Sequence, residues 1–193
     1  MSYSDNLAYQ EELREELING EVVATSPRPA FNHNQVSSNI YRIFANFLHG
    51  RKCTAIADGT DLYLTEKERF IPDMMVVCDR DKIKWNGVHG APDLVVEVLS
   101  PGTAKNDKMY KKDVYSGCGV LEYWIVSTGE RSIEQYILQG GCLELNAVYT
   151  LHPDYMVEAM TDEERSALIT EFKCTIFDDL SIPLNDIFSG LLE

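Results

Sequence analysis

Two short segments of the chain are apolar at consecutive positions and do not alternate with polar residues. They are residues 72–78, with Met-Met-Val-Val at their centre, and residues 93–99, where one acid, Glu97, interrupts the apolar run. A strand exposed on one face alternates apolar and polar residues, so uninterrupted runs predict strands that are covered on both faces. The two segments therefore predict strands inside a sheet whose two faces are both packed.

Other parts of the chain show helical or alternating patterns. Residues 32–49 carry apolar side chains at three- and four-residue spacing, which predicts an amphipathic helix. Further helices are predicted over residues 9–17, 105–117 and 184–190, with a short one after the capping-box spacing at 161–164. Further strands are predicted near residues 21–25, 52–57, 61–65, 121–127, 132–138, 142–150 and 174–178. This order predicts an α/β (α+β) fold with helices on the faces of a sheet, in one domain over residues 1–193.

Charge and cysteine content narrow the function classes. The formal net charge of −14 argues against non-specific nucleic-acid binding, although residues 105–112 hold four lysines against one aspartate. The five cysteines are scattered without a Cys-x-x-Cys pair, which argues against a zinc cluster or a disulfide framework. The first residues lack an apolar signal core, and no apolar run approaches the ~20 residues that span a bilayer. We therefore expect a reduced, cytoplasmic protein without membrane contact.

Glu97 lies where a carboxylate is costly, because burying a charge without a partner lowers the stability of the fold by several kcal/mol. If the two apolar strands pair antiparallel, Asp73 lies opposite Glu97 with Cα atoms about 5 Å apart. Asp93, four residues from Glu97 on one strand, is roughly 13 Å away at ~3.3 Å per residue and cannot share an ion with it. A divalent cation would offset the repulsion between Asp73 and Glu97, and the Val98 carbonyl could add a third oxygen. All-oxygen ligation predicts magnesium or manganese.

The helix predicted after this strand brings a cation to the same place. Asp107, Lys111 and Tyr115 are spaced at i, i+4 and i+8, so they share one helix face. If that face covers the end of the Glu97 strand, Lys111 can reach the site. Its charge could then polarise a water molecule or stabilise the charge that develops on a phosphate. Lys112 lies about 100° further round the helix and is expected to point elsewhere.

Several blocks of the sequence together resemble one known family. They are IPDMMVV, APDLVVEVLSPGTAKND with the following Lys-x-x-x-Tyr step, and GVLEYWIV, accompanied by EELINGEVV, SPRPAFNHNQVSSNI and IPLNDIF. Over nearly the whole chain the sequence is similar to the Uma-type family of restriction-endonuclease-like proteins, within the PD-(D/E)xK nuclease superfamily. The resemblance implies a restriction-endonuclease-like fold with an α-β-β-β-α-β core, a mixed β-sheet flanked by helices, here with an added C-terminal β-meander.

The same resemblance implies an activity and a site. It implies a magnesium- or manganese-dependent endonuclease, a hydrolase of phosphodiester bonds whose partner is nucleic acid, in particular DNA. Cleavage of both strands would need two sites, so we also expect a homodimer. By position, Asp73 matches the first acid of the superfamily motif and Glu97 the second. The superfamily lysine would fall at position 99, where this chain has Leu99. The displaced lysine of the family matches Lys111.

Ordinary structural roles compete with these assignments. Asp73 could cap a turn, Glu97 could belong to a buried ion pair, and Lys111 could be a solvated helix lysine. His33 could touch the site or have a capping or core role. Glu16 could be an additional helix acid of the site, but a solvated position on its helix is preferred. Structural roles are expected for five further residues: Asp58, Asp61, Asp93, Tyr123 and Trp124.

A second function class is a non-catalytic module that keeps the nuclease fold for binding or structure. The net charge, the missing strand lysine and the lack of a recognition domain favour it. The two classes differ in an observable way. A nuclease should bring Asp73, Glu97 and Lys111 together in an open cleft with a basic rim, whereas a passive module could seal Glu97 against an arginine.

Overall fold

The structure is a computed structural model that describes residues 14–24, 30–100 and 106–192 of the chain. Its helices are α1 Phe31–Leu48, α2 Lys112–Cys118 after a π-helical turn at Asn106–Lys111, α3 Asp154–Ala159, α4 Asp162–Ser166 and α5 Leu184–Phe188, with a 3-10 turn at Arg80–Lys82. Its strands are β1 Glu15–Ile18, β2 Glu21–Ala24, β3 Thr54–Ala57, β4 Leu62–Thr65, β5 Glu68–Phe70, β6 Met74–Val77, β7 Ile83–Lys84, β8 Gly87–His89, β9 Leu94–Val98, β10 Glu122–Ser127, β11 Ser132–Gln139, β12 Cys142–Thr150, β13 Glu171–Lys173 and β14 Ser181–Pro183. Within the described ranges, none of these helices is long and apolar enough to cross a membrane.

The central sheet contains six strands in the order β12-β11-β10-β9-β6-β3. β9 and β10 are parallel, because α2 carries the chain back across the sheet between them, and the other neighbours are antiparallel. The path α1-β3-β6-β9-α2-β10 reproduces the α-β-β-β-α-β order that the resemblance implied. Strands β10, β11 and β12 form the added meander. The mixed α+β fold class is therefore confirmed.

A second, outer sheet covers part of the central sheet. Its order is β2-β1-β5-β4-β8-β7, and β13 and β14 form a separate two-stranded sheet. Two buried clusters follow from this layering. Met74 and Val96 pack with α1 and α5 on one face of the central sheet, while Met75 and Val95 pack on the other face with side chains of the outer sheet and α2. Both faces are covered, which explains the lack of alternation along β6 and β9.

Two predicted elements were wrong in type or position. Residues 15–17, assigned to a helix over 9–17, belong to strand β1, and residues 9–13 lie outside the described ranges. The Asn19-Gly20 turn, with φ of 51° and 81°, joins β1 to β2 as a hairpin, and this turn type selects strands on both sides. The strand expected over 174–178 lies earlier, at β13, whose Phe172 is the buried residue.

Cys53 and Cys78 form a disulfide, so the expectation of five reduced cysteines was wrong. The pairing of Thr54 with Val77 in β3 and β6 places these cysteines opposite each other at the end of the strand pair. The free cysteines are Cys118, Cys142 and Cys174. Spacing along the chain does not reveal strand register, which is why the sequence argument missed this pair.

Another buried acid, Glu122, joins the C-terminal segment to the central sheet. Its carboxylate accepts hydrogen bonds from Trp124 Nε1 and Gln135 Nε2, both at 2.6 Å, and from the main-chain N–H of Thr175 at 2.8 Å. The Thr175 hydroxyl donates to it as well. These donors are neutral, so Glu122 is held by hydrogen bonds to two strands and to the turn after β13.

Candidate active site

Asp73 and Glu97 lie opposite each other where β6 begins and β9 ends. The antiparallel register pairs Met74 with Val96, and one step further it brings Asp73 against Glu97, as the sequence predicted. Asp73 is held by two neighbours: its Oδ2 accepts a hydrogen bond from the main-chain N–H of Val98 at 2.7 Å, and its carbonyl accepts one from the Ser37 hydroxyl of α1 at 3.2 Å. The first acid is thus fixed to both the strand and the helix beside it.

Glu97 is 4% exposed and is bound by two side chains from the helical segment that follows β9. Its Oε1 accepts hydrogen bonds from Lys111 Nζ at 3.1 Å and from the Tyr115 hydroxyl at 2.8 Å. Burial, then the charge of Glu97, raises the pKa of the Tyr115 phenol well above its usual value, so Tyr115 remains a proton donor. Lys111 and Tyr115 share one helix face, and the reading of Lys111 as a solvated lysine was wrong.

Glu16 joins the same cluster from strand β1. Its Oε1 accepts hydrogen bonds from Lys111 Nζ at 3.0 Å and from the main-chain N–H of Ile71 at 2.9 Å. Glu16 is buried, contrary to the solvated helix position preferred from sequence. Lys111 Nζ therefore lies between two carboxylates, with the Phe70 ring centroid 5.4 Å away.

His33, in the first turn of α1, faces the other acid. Its Nε2 lies 3.3 Å from Asp73 Oδ2, and both side chains are largely buried. Burial lowers the pKa of His33, but the hydrogen bond and charge of Asp73, the charge of Asp58 and the main chain of Val98 together raise it above its ordinary value. His33 Nδ1 is buried and has no hydrogen-bond partner among the described residues. The contact of His33 with the site, left open by the sequence, is present.

The atoms that the sequence assigned to a metal site are all oxygens, which are the ligands that hard cations prefer. They are the carboxylates of Asp73 and Glu97 and the carbonyl of Val98, and such oxygens suit magnesium, which keeps several of its own waters. Among the described residues, no group of three or more His, Cys, Asp or Glu side chains is arranged to hold a metal by itself. The Nδ1 atom of His33, whose Nε2 contacts Asp73, is a buried polar atom that the described residues leave without a hydrogen bond.

The other singled-out residues have structural partners. Asp93 Oδ2 accepts from the Cys78 N–H at 2.7 Å, Asp58 pairs with Arg14 at 2.6 Å, and Asp61 lies 3.9 Å from Arg69. Two aromatic residues of β10, Tyr123 and Trp124, are core residues, as expected.

Three other positions were singled out from the sequence: Lys112, Leu99 and Asp107. Lys112 Nζ lies 5.1 Å from the Tyr136 ring centroid, away from Glu97, as predicted from its place on the helix. Leu99, at the position of the superfamily lysine, packs in the cluster between the two sheets. The side chain of Asp107 lies outside the described part of the chain.

The chain is similar to known proteins in sequence and in fold. Residues 3–164 match the model of the Uma2 family, described as "Putative restriction endonuclease". An uncharacterized protein of Synechocystis sp. is 29% identical over 140 residues, which cover 70% of this chain and 73% of that protein. The crystal structure of a "putative nuclease belonging to DUF820" from Anabaena variabilis superposes with a TM-score of 0.68 at 19% identity, covering 92% of this chain and 91% of that one. This last likeness shows a shared fold.

Proposed function

The chain belongs to the Uma2 family, and from that membership we propose that it is a metal-dependent nuclease that hydrolyses phosphodiester bonds in DNA. Asp73, Glu97 and the carbonyl of Val98 would hold magnesium or manganese, with Lys111 beside them. The family description supports nuclease chemistry. The choice of DNA, the metal and the roles of these residues are our proposal.

The observation that carries the proposal is the position of Lys111 Nζ between Glu16 and Glu97, next to the strand end that holds Asp73. When ionised, the three acids carry three negative charges against one positive charge on Lys111, and protonation of His33 adds one more. Counted over the described residues alone, the cluster therefore retains an excess of negative charge. A divalent cation beside Asp73 and Glu97 would offset that excess, whereas a purely structural ion pair would need one acid.

The protein residues have distinct roles in this mechanism. The bound metal would supply Lewis-acid chemistry, which lowers the pKa of water and offsets charge on the phosphate. Tyr115 and Lys111 fix the orientation of Glu97, and the Val98 N–H fixes that of Asp73. Lys111 would place its ammonium where negative charge develops during hydrolysis. Low exposure strengthens that interaction, because water screens a buried charge poorly.

One observation favours the second candidate function, a non-catalytic module with the nuclease fold. Glu97 and Lys111 are each 4% exposed, so in the described part of the chain neither side chain reaches an open surface. A binding or structural subunit could retain the same ion pair as part of its core. Among the described residues, the cation that binds Glu97 is nevertheless the lysine that the nuclease reading requires and not an arginine, so this contact is compatible with both functions.

Cleavage assays test the proposal directly. Purified protein is incubated with magnesium or manganese and with mixed DNA and RNA substrates, below the melting temperature of each variant. We expect wild type to cut DNA, Glu97→Gln to be inactive, and Lys111→Ala to be slower by at least about a hundredfold, the loss typical of one electrostatic group. Lys112→Ala, on the same helix, should cut like wild type.

Two results would overturn these assignments. Equal cleavage by both lysine variants and wild type would remove Lys111 from the mechanism. A wild type that cuts no nucleic acid with either metal would favour the binding module.

We also propose a homodimer, because cutting both strands of a duplex requires two sites. Sedimentation of the protein with and without DNA measures its oligomeric state.

A further inference from the structure

A small hairpin that the proposed mechanism does not use carries the most exposed large apolar side chain of the described residues. Strands β7 and β8 pair Ile83 with Val88 and Lys84 with Gly87, so Trp85 and Asn86 form the two-residue turn. The Trp85 side chain is 97% exposed, whereas the other tryptophan of the chain, Trp124, is fully buried. A two-residue turn does not require a tryptophan, and an exposed indole adds little to the core, so the stability of the fold does not explain Trp85.

The turn lies at the same end of the molecule as Asp73. Ala57, the last residue of β3, pairs with Met74, so the loop that leaves β3 starts beside Asp73. That loop leads to Asp61, whose carbonyl accepts a hydrogen bond from the Val88 N–H at 2.8 Å. The hairpin thus packs against the loop that borders the candidate site.

Gly87 makes this close approach possible. Its φ is 141°, and a Cβ at this position would lie 2.3 Å from the Asp61 carbonyl oxygen, so only glycine fits without displacing backbone. The other side of the hairpin is also held. The His89 ring stacks on Tyr63 with centroids 4.5 Å apart, and His89 Nε2 lies 3.1 Å from Asn86 Oδ1. Trp85 therefore lies on a turn whose two flanking strands are held by neighbouring residues.

We infer that Trp85 stacks on an unpaired base of a DNA strand that enters the candidate active site. This inference rests on the proposed nuclease function and specifies its substrate as DNA with a single-stranded segment. Indole faces stack on any base, which gives binding without sequence preference. The exposed Lys84 beside Trp85 can contact a neighbouring phosphate.

The charge of the protein favours an unpaired base over a duplex. Duplex binding depends mainly on many cations along the phosphate backbone, and the chain has a net charge of −14. Stacking adds a contribution that comes from the ring face itself, and it needs an exposed ring face together with a base that is free of its complement. The hairpin supplies the ring face.

Tryptophan fluorescence tests the inference without any cleavage, because the titration is done with a chelator in place of metal. A single-stranded oligonucleotide should quench wild-type emission, and Trp85→Phe, which retains Trp124, should show no such quenching. In anisotropy titrations Trp85→Ala should bind the oligonucleotide about tenfold more weakly, the size expected for one stacked base. Tyr155→Ala removes another exposed aromatic residue and should bind like wild type.

The outcomes separate this inference from the nuclease proposal. Equal affinity of wild type and Trp85→Ala, stronger quenching by a blunt duplex of the same length, or quenching that persists in Trp85→Phe would each overturn it, even if the protein cuts DNA. Quenching with the expected loss of affinity would uphold it, even if wild type fails to cut. A protein that binds no oligonucleotide refutes the base contact at Trp85.

Discussion

Replacing Lys111 by methionine should destabilise the metal-free protein strongly. Methionine keeps much of the length and apolar volume of the lysine side chain, so the change mainly removes the ammonium. That ammonium contacts Glu16 Oε1 at 3.0 Å and Glu97 Oε1 at 3.1 Å. Without it, two buried carboxylates remain close together and lose their shared cation.

The expected loss follows from these distances. At an effective dielectric of ~20, an ammonium at about 3 Å attracts each carboxylate by roughly 5 kcal/mol, and two carboxylate oxygens at most ~6 Å apart repel by roughly 3 kcal/mol. Much of this gross attraction offsets the cost of taking the charges out of water. Removing one partner of a buried pair typically costs about 3–5 kcal/mol, and we expect Lys111→Met to fall in that range.

Denaturant unfolding in the presence of a chelator measures this change. Lys112→Met is the matched control, because Lys112 lies on the same helix against the Tyr136 ring, and it should cost about 0.5 kcal/mol or less. Glu97→Gln should cost less than Lys111→Met, because Lys111 keeps Glu16 and the Tyr115 hydroxyl can still donate to the amide oxygen.

Two results would refute this reasoning. If Lys111→Met and Lys112→Met unfold at the same denaturant concentration, Lys111 does not neutralise the buried acids. If Glu97→Gln costs as much as Lys111→Met, the two acids do not share the lysine.

Two further predictions concern the metal and the buried acid Glu122. Magnesium or manganese should raise the melting temperature of wild type by ligand linkage, and calorimetry should find no such rise in Asp73→Asn; an equal rise would place the ion elsewhere. Glu122→Gln should lower the free energy of unfolding by about 1–3 kcal/mol. The NH2 group of the glutamine amide would then face side-chain and main-chain groups that are themselves hydrogen-bond donors. Exposed Glu144→Gln should stay within about 0.5 kcal/mol of wild type in the same denaturation assay, and equal losses would contradict the role of Glu122.

The centre of the site could be predicted because it depends on local signals. Two uninterrupted apolar runs gave the central strands, and pairing them antiparallel put Asp73 opposite Glu97. Helical spacing then put Lys111 and Tyr115 on one face, and both contact Glu97. These relations need only the period of a strand and the period of a helix.

The contribution of Glu16 could not be obtained in the same way. The acid-rich stretch around it favours a helix by composition, yet the Asn19-Gly20 turn and the pairing of β1 with β5 make it a strand. The outer-sheet strands β5, β7 and β8 contain three, two and three residues, too few to show a period. The disulfide and the contact of His33 with Asp73 likewise depend on which elements pack together.

The helix position of Lys111 has a consequence for how such sites are found. A text pattern with lysine two places after the second acid passes over this chain, because Leu99 occupies that place and packs against the core. A search in three dimensions, for an ammonium about 3.1 Å from a strand carboxylate, would retrieve it.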